Sequence, residues 1–249
     1  MGWIGASEVP VWSVRRVAET GSTNADLLAE ARAGAPEGTV LVADHQTAGR
    51  GRRDRVWAAP PGSSLLVSIL VRPTLPPSRL ALVTHAVALA ARDTCASVAD
   101  VQPDLKWPND LVVGERKLAG VLAESVLGSA GVVEAVVVGL GLNVNWPLDA
   151  RHQWPDGATS LNAEAGHSVD RDQLLAAVLD GLSRLDEPTV VHRYRDELGT
   201  LGRHVRVELA DEVLVGRAVD VRADGALVVA LDDGSRRTVT AGDVVHVRS

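Results

Sequence analysis

Apolar positions along this chain fall in short blocks whose spacing changes character once, near residue 200. Residues 11–19 read as a strand leading into Gly-Ser-Thr-Asn. Ser22 or Thr23 then caps a helix that runs to about Arg32, with Leu27, Leu28 and Ala31 on its inner side. Residues 39–44 (TVLVAD) and Ser64–Val71 (SLLVSILV) read as buried strands. Between them, residues 46–62 carry Gly, Arg, Asp and Pro without a hydrophobic period, which makes a long loop; such loops in compact domains are usually functional. Residues 79–98 are apolar nearly all round, the mark of an interior helix. Three strands follow, around Leu105, over 117–126 and over 132–140, the first two separated by turns at Pro108-Asn109 and Gly114. Residues 170–198 are mostly helical, with Pro188 as the expected break.

After Gly199-Thr200-Leu201-Gly202 the blocks shorten to VRVEL, VLVGRAVDV, ALVVAL, RRTVT and VVHV, joined by Ala-Asp-Gly, Asp-Asp-Gly and Ala-Gly-Asp turns. Short strands at even spacing with turn signals suggest a small barrel. The expected organisation is a domain over 1–199 and a second over 200–249, without repeats or low-complexity tracts.

Composition alters this picture in a few places. The 249 residues suffice for one large domain and a small one. With no Phe and one Tyr, Val, Leu and Ala must fill the core, six Trp supplying the large pieces. A formal net charge of -7 argues against a nucleic-acid binder. The single cysteine, Cys95, excludes an internal disulfide and reads as a small buried hydrophobe; seven scattered His give no metal-site spacing. The N-terminal residues MGWIGASEVPVWSVRR do not form a signal peptide. The longest uncharged stretch, 56–71, is shorter than the roughly 18 residues a spanning helix needs. A cytoplasmic enzyme is the expectation.

Three segments carry candidate chemistry. Gly49-Arg50-Gly51-Arg52-Arg53-Asp54-Arg55 is a dense positive patch on an acidic chain; guanidinium forks suit phosphate and carboxylate, and interleaved Gly lets backbone approach a ligand, although a solvated basic loop would look the same. No GxxxxGK[ST] loop occurs, so any nucleotide is held otherwise. Lys106-Trp107-Pro108-Asn109-Asp110 precedes Lys117-Leu118-Ala119-Gly120, where Lys117 at the start of an apolar strand needs an anionic partner: a ligand, or Asp110 or Glu124. Gly139-x-Gly141-x-Asn143 reads as a strand ending in a turn. It offers an Asn amide that can pair with an adenine edge, though strand-end turns also use Gly and Asn for conformational reasons alone.

Taken in order, Ser22-Thr23-Asn24, Gln46-Thr47-Ala48-Gly49-Arg50-Gly51-Arg52, Arg55-x-Trp57, Lys106-Trp107-Pro108-Asn109-Asp110, Lys117-Leu118-Ala119-Gly120 and Gly139-x-Gly141-x-Asn143 resemble the biotin protein ligases. The resemblance covers roughly residues 11–165, and the C-terminal strands look like the family's small domain. Each motif alone is weakly specific; the ordered set is highly specific. Asp54 stands where the family usually has Gly, which changes the turn chemistry and lowers the patch charge by one.

The resemblance implies an α+β fold: a mixed β-sheet with helices, of the class II aminoacyl-tRNA synthetase-like kind, plus a C-terminal SH3-like β-barrel. It implies an ATP-dependent ligase that forms biotinyl-5′-adenylate and then passes biotin to a lysine. Ser22, Thr23, Asn24, Gln46, Gly49, Trp57 and Gly120 would bind biotin. Arg50, Arg52, Arg55, Lys117, Asn143 and the backbone at Ala158 would bind ATP and the adenylate, with Lys117, Arg50 and Arg52 catalytic. Asp110 is the candidate base for the acceptor lysine. Residues 49–58 are expected to be disordered without ligand and ordered over the adenylate. ATP with Mg²⁺ is implied, without assignable metal ligands. The implied partner is the biotin carboxyl carrier domain of an acyl-CoA carboxylase, with no membrane partner. No DNA partner is expected either, since only about 21 residues precede the first motif, too few for the helix-turn-helix some members carry. The oligomeric state, monomer or homodimer, stays open. The rival readings are a lipoate or octanoate ligase-like enzyme and a non-catalytic biotin sensor. From physics alone the sequence supports a soluble protein with a phosphate-binding Arg loop and a β-rich appendage.

Overall fold

The computed structural model describes residues 11–247. Much of the N-terminal stretch read as lacking an export signal therefore lies outside the described residues. The chain is α+β. Seven strands form one mixed sheet: β1 (Ser13–Thr20), β2 (Thr39–Gln46), β3 (Ser64–Val71), β4 (Asp104–Lys106), β5 (Asp110–Val113), β6 (Arg116–Leu127) and β7 (Val133–Asn143). Their order is β1-β2-β3-β7-β6-β5-β4, parallel between β1 and β2 and antiparallel elsewhere.

Period-two alternation gives the central strands two different faces. Val40, Val42, Leu65, Val67, Ile69, Val136, Val138, Leu140 and Val121 enter the main core with helix α2 (Ala81–Ala99). Three C-terminal helices close that layer: α3 (Leu161–Ala165), α4 (Arg171–Arg184) and α5 (Glu187–Glu197). On the opposite face α1 (Thr23–Arg32) packs Leu27, Leu28 and Ala31 against Leu41, Leu70, Val126, Ala135 and Val137. The Ser22 side chain caps α1 by accepting from Ala25 N at 3.5 Å.

Several elements depart from expectation. β2 continues to Gln46, so that side chain is anchored in the sheet rather than in the loop. β5 is a four-residue strand hidden between turns. β7 runs on to Asn143, so Gly139-x-Gly141-x-Asn143 is strand, paired with β3 on one side and β6 on the other. Pro188 does not break a helix: the break comes earlier, at Leu185, and Asp186 caps α5 by accepting from Thr189 N at 2.8 Å. Pro188 sits in the first turn, where no backbone donor is needed.

The remaining strands, β8 (His204–Glu208), β9 (Val213–Val221), β10 (Leu227–Leu231), β11 (Arg236–Val239) and β12 (Asp243–His246), form a wholly antiparallel sheet in the order β11-β10-β9-β8-β12. Its inward residues Val205, Val207, Leu227 and Val229 are continuous with the main core. At the junction the buried Trp107 indole donates to Gly225 O at 2.9 Å, and Trp107 N donates to Thr200 Oγ1 at 3.0 Å. His85 stacks on Tyr194 beneath the same turn, their ring centroids 3.6 Å apart. Among the described residues no helix is long and apolar enough to cross a membrane.

Candidate functional site

The α1-facing side of β6 and β7 lacks bulk at one end. Gly120 and Gly141 are register partners there, with Gly139 next along β7. Trp57, from the β2–β3 connection, occupies the space above them: a Cβ on Gly141 would lie 2.5 Å from the indole, and one on Gly120 3.1 Å. A Cβ on Gly139 would lie 2.3 Å from Asn24 Oδ1. These glycines are required by space rather than by backbone twist. Over this floor opens a cleft of about 240 Å³.

One end of the cleft is neutral and hydrogen-bonding. Gln46 Oε1 accepts from Thr23 N at 2.7 Å and from Thr23 Oγ1 at 3.0 Å. The buried Ser68 hydroxyl is shared between Asn24 Oδ1 at 2.6 Å and Thr23 Oγ1 at 2.7 Å. Asn24 Nδ2 donates to Leu122 O at 3.1 Å and to Glu124 Oε2 at 2.9 Å. Ser22, Thr23 and Asn24 are all buried. Gly49 fits tightly between Gln46 and the Trp57 carbonyl, and Trp57 N donates to its carbonyl at 2.9 Å.

The other end is cationic. Lys117 Nζ lies 2.8 Å from Asp110 Oδ1 and 5.5 Å from the Trp57 ring centroid. Of the two internal partners considered for Lys117, the structure selects Asp110. Glu124 instead pairs with Arg50 at 2.9 Å. Lys117 keeps 40% of its side chain exposed, so an anion in the cleft can reach it. Backbone bonds hold it in place: Lys117 N donates to Gly157 O at 2.6 Å, and Thr159 N to Lys117 O at 2.9 Å.

Arg52 and Arg55 also border the cleft, yet their guanidinium groups turn toward Asp243 at the start of β12. Arg52 donates to Asn109 Oδ1 at 3.3 Å and to Gly242 O at 3.1 Å. Burial lowers the Arg52 pKa, and the Asp243 carboxylate opposes that shift. Arg53 and Asp54 both adopt left-handed backbone, at φ 53 and 57. Asp54 therefore takes the conformation that glycine adopts most freely, which short polar side chains tolerate better than others.

Asn143 Nδ2 donates to Thr159 O at 2.8 Å, while its buried Oδ1 has no partner. Nδ2 also reaches Lys117 O at 3.5 Å, so the amide's donor is engaged and only its acceptor is without an internal partner. Ala158 N is engaged by Pro155 O at 3.0 Å. Among the described residues no group of three or more His, Cys, Asp or Glu could hold a metal.

Of the site residues expected from sequence, all but Gly49 line this cleft, and Gly49 packs against two that do, Gln46 and Trp57. Three residues that hold its lining were missed, and of these only Asp243 borders the cleft itself. Ser68 was visible as the polar residue inside an apolar strand. Glu124 was considered only as a partner of Lys117. Asp243 gave no signal, because it lies 188 residues from Arg55.

Comparison with known proteins identifies the family. The Biotin/lipoate A/B protein ligase family matches residues 17–143, and the Biotin protein ligase C terminal domain matches 200–247. The biotin–acetyl-CoA-carboxylase ligase of Mycobacterium tuberculosis is 41% identical, over 93% of this chain and 88% of that protein. The bifunctional ligase/repressor BirA of Bacillus subtilis is 32% identical, over 83% of this chain and 66% of that one. The structure of biotin protein ligase from Aquifex aeolicus in complex with biotin and ATP aligns with a TM-score of 0.77 at 27% identity, covering 95% of this chain and 99% of that one. With a family match over half its length and a close relative along nearly all of it, the chain belongs to the biotin/lipoate A/B protein ligase family.

Proposed function

We propose that this chain is an ATP-dependent biotin protein ligase that makes biotinyl-5′-adenylate and transfers biotin to a lysine of a biotin carboxyl carrier domain. The observation that carries the reading is the polarity of the cleft: a neutral hydrogen-bonding end around Thr23 and Gln46 joins a cationic end at Lys117 across one glycine floor. Biotin is itself two-ended, a neutral ureido ring and a carboxylate. The names of the relatives support the same substrate and acceptor.

In the first step the biotin carboxylate attacks the α-phosphate of ATP and pyrophosphate leaves. Lys117 offsets the two anionic groups brought together there, and Arg50, Arg52 and Arg55 hold the phosphates. Ser22, Thr23, Asn24 and Gln46, with the backbone at Gly49, bind the ureido group, while Trp57 and Gly120 pack its chain. Asn143 Oδ1 and the Ala158 segment face the adenine. In the second step the acceptor lysine Nζ attacks the acyl carbon, AMP leaves, and Asp110 takes or directs the proton. Residues 49–58 tighten over the adenylate and exclude water. Mg²⁺ would be held mainly by the ATP phosphates and would offset their charge, since Asp110 and Asp243 in the cleft lining are each already paired with cations. We take residues 1–199 as the catalytic domain and 200–249 as the small domain, working in the cytoplasm. The net charge of -7 supports a ligase without DNA binding.

The test is intact-mass detection of biotin on a carrier domain after incubation with biotin, ATP and Mg²⁺, with lipoate and octanoate in parallel. A biotin adduct alone is expected. An adduct only with lipoate or octanoate overturns the substrate, and no adduct of any kind on a carrier that another ligase modifies overturns the activity.

A further inference from the structure

The arginine loop has few apolar anchors at its tip: Val56 is 79% exposed. Besides its own backbone bonds and the Arg50–Glu124 pair, it is held at the tip by a carboxylate from the other sheet. Asp243 Oδ2 accepts from Arg53 Nη1 at 3.3 Å and from Arg55 Nη2, and its Oδ1 lies 3.7 Å from Arg52 Nη1. Backbone carbonyls on either side complete the dock. Glu208 O accepts from Arg53 at 2.8 Å and Gly242 O from Arg52 at 3.1 Å. Asp243 is only 14% exposed and itself borders the cleft.

Three guanidinium groups within four residues repel one another, and two consecutive left-handed residues add strain to a turn that Gly51 N closes by donating to Arg55 O at 2.7 Å. A largely shielded carboxylate at their centre offsets that repulsion. We propose that Asp243 is a positioning residue for adenylation, holding Arg52, Arg53 and Arg55 at the cleft mouth so that the C-terminal sheet sets the geometry of the phosphate-binding loop. This rests on the reading above, in which that loop holds the ATP phosphates. Asp243 also competes with phosphate for the same cations. Positioning outweighs competition, because a released loop must order several residues each time ATP binds, while the lost anion sits in a partly solvated cluster.

The experiment uses the full chain as wild type, Asp243→Asn, Asp243→Glu and Arg53→Ala, each checked by thermal melting. Trypsin cleavage after Arg52 and Arg55 without ligand is mapped by mass, and pyrophosphate release is measured against ATP at saturating biotin. Asp243→Asn should speed cleavage about tenfold and raise the ATP KM about tenfold, with kcat and the biotin KM within about threefold. Asp243→Glu should restore part of both effects, and Arg53→Ala should reproduce them more weakly. Equal cleavage rates, or an ATP KM unchanged or lowered, overturn the proposal while the wild type stays active. If Asp243→Asn fails to fold, an unchanged Arg53→Ala overturns it. A wild type that releases no pyrophosphate overturns the ligase reading and the catalytic half of the proposal with it, and the trypsin rates still report whether Asp243 docks the loop.

Discussion

Gly120 and Gly141 stand opposite each other on β6 and β7, and the indole of Trp57 fills the space above the pair. Gly141→Ala puts a methyl 2.5 Å from a rigid ring that cannot swing away without moving the arginine loop. Overpacking of this kind costs about 1–3 kcal/mol. The expected result is a biotin KM raised about tenfold or more with the fold retained, measured by pyrophosphate release and circular dichroism. An unchanged KM would mean that Trp57 is free to leave the cleft.

Lys117 and Asp110 are paired at 2.8 Å but are assigned to different half-reactions. Lys117→Ala should cut adenylate formation by roughly 10²–10³, the scale of losing one electrostatic stabiliser of the transition state. Asp110→Asn should leave pyrophosphate release nearly intact and slow transfer from pre-formed adenylate to the carrier. Single-turnover assays of each step separate the two, and equal losses in both steps would remove the base role of Asp110.

Ser68 is wholly buried and joins Thr23 to Asn24. Ser68→Ala removes the shared donor and strands Asn24 Oδ1, a cost of about 1–3 kcal/mol. Biotin affinity should fall while the ATP KM changes little. Calorimetric titration of biotin gives the answer directly, and a loss confined to ATP would refute the assignment of this end of the cleft.

His85 is buried against Tyr194, and burial holds its pKa at about 3 instead of 6.5. The unfolded chain therefore takes up a proton at this residue below pH 6.5 that the folded chain refuses until about pH 3. Stability should fall as pH drops through that window, by at most about 1.4 kcal/mol per unit from this one group. His85→Phe keeps a ring on Tyr194 and should flatten the slope. Urea midpoints at pH 7, 6 and 5 for both proteins test it; parallel slopes would assign the acid sensitivity elsewhere. His246, also lowered mainly by burial, contributes equally to both.

Local chemistry explains what was legible. The Ser22 cap, the apolar side of α1 and the buried strand at Ser64–Val71 follow from short-range rules that the tertiary structure does not override. Gly139-x-Gly141-x-Asn143 was misread because Gly and Asn are the residues turns prefer. Here the missing side chains make room for Asn24 and Trp57, which come from α1 and the β2–β3 connection. The strand at Asp110–Val113 escaped notice because four residues between two turns carry too little period to register.

By itself, then, the sequence determined the order of the longer elements, without β5 and α3, the change of regime near residue 200, and which residues could bind a polar anionic ligand. These depend on backbone preference and residue chemistry, which act over a few positions. The tertiary structure alone decided the pairings: Lys117 with Asp110, Glu124 with Arg50 and Asn24, and three loop arginines with Asp243. A charge exerts its effect over a few ångströms of space, whatever its distance along the chain. Only once the second sheet packs against the first does its Asp243 stand beside the loop it neutralises.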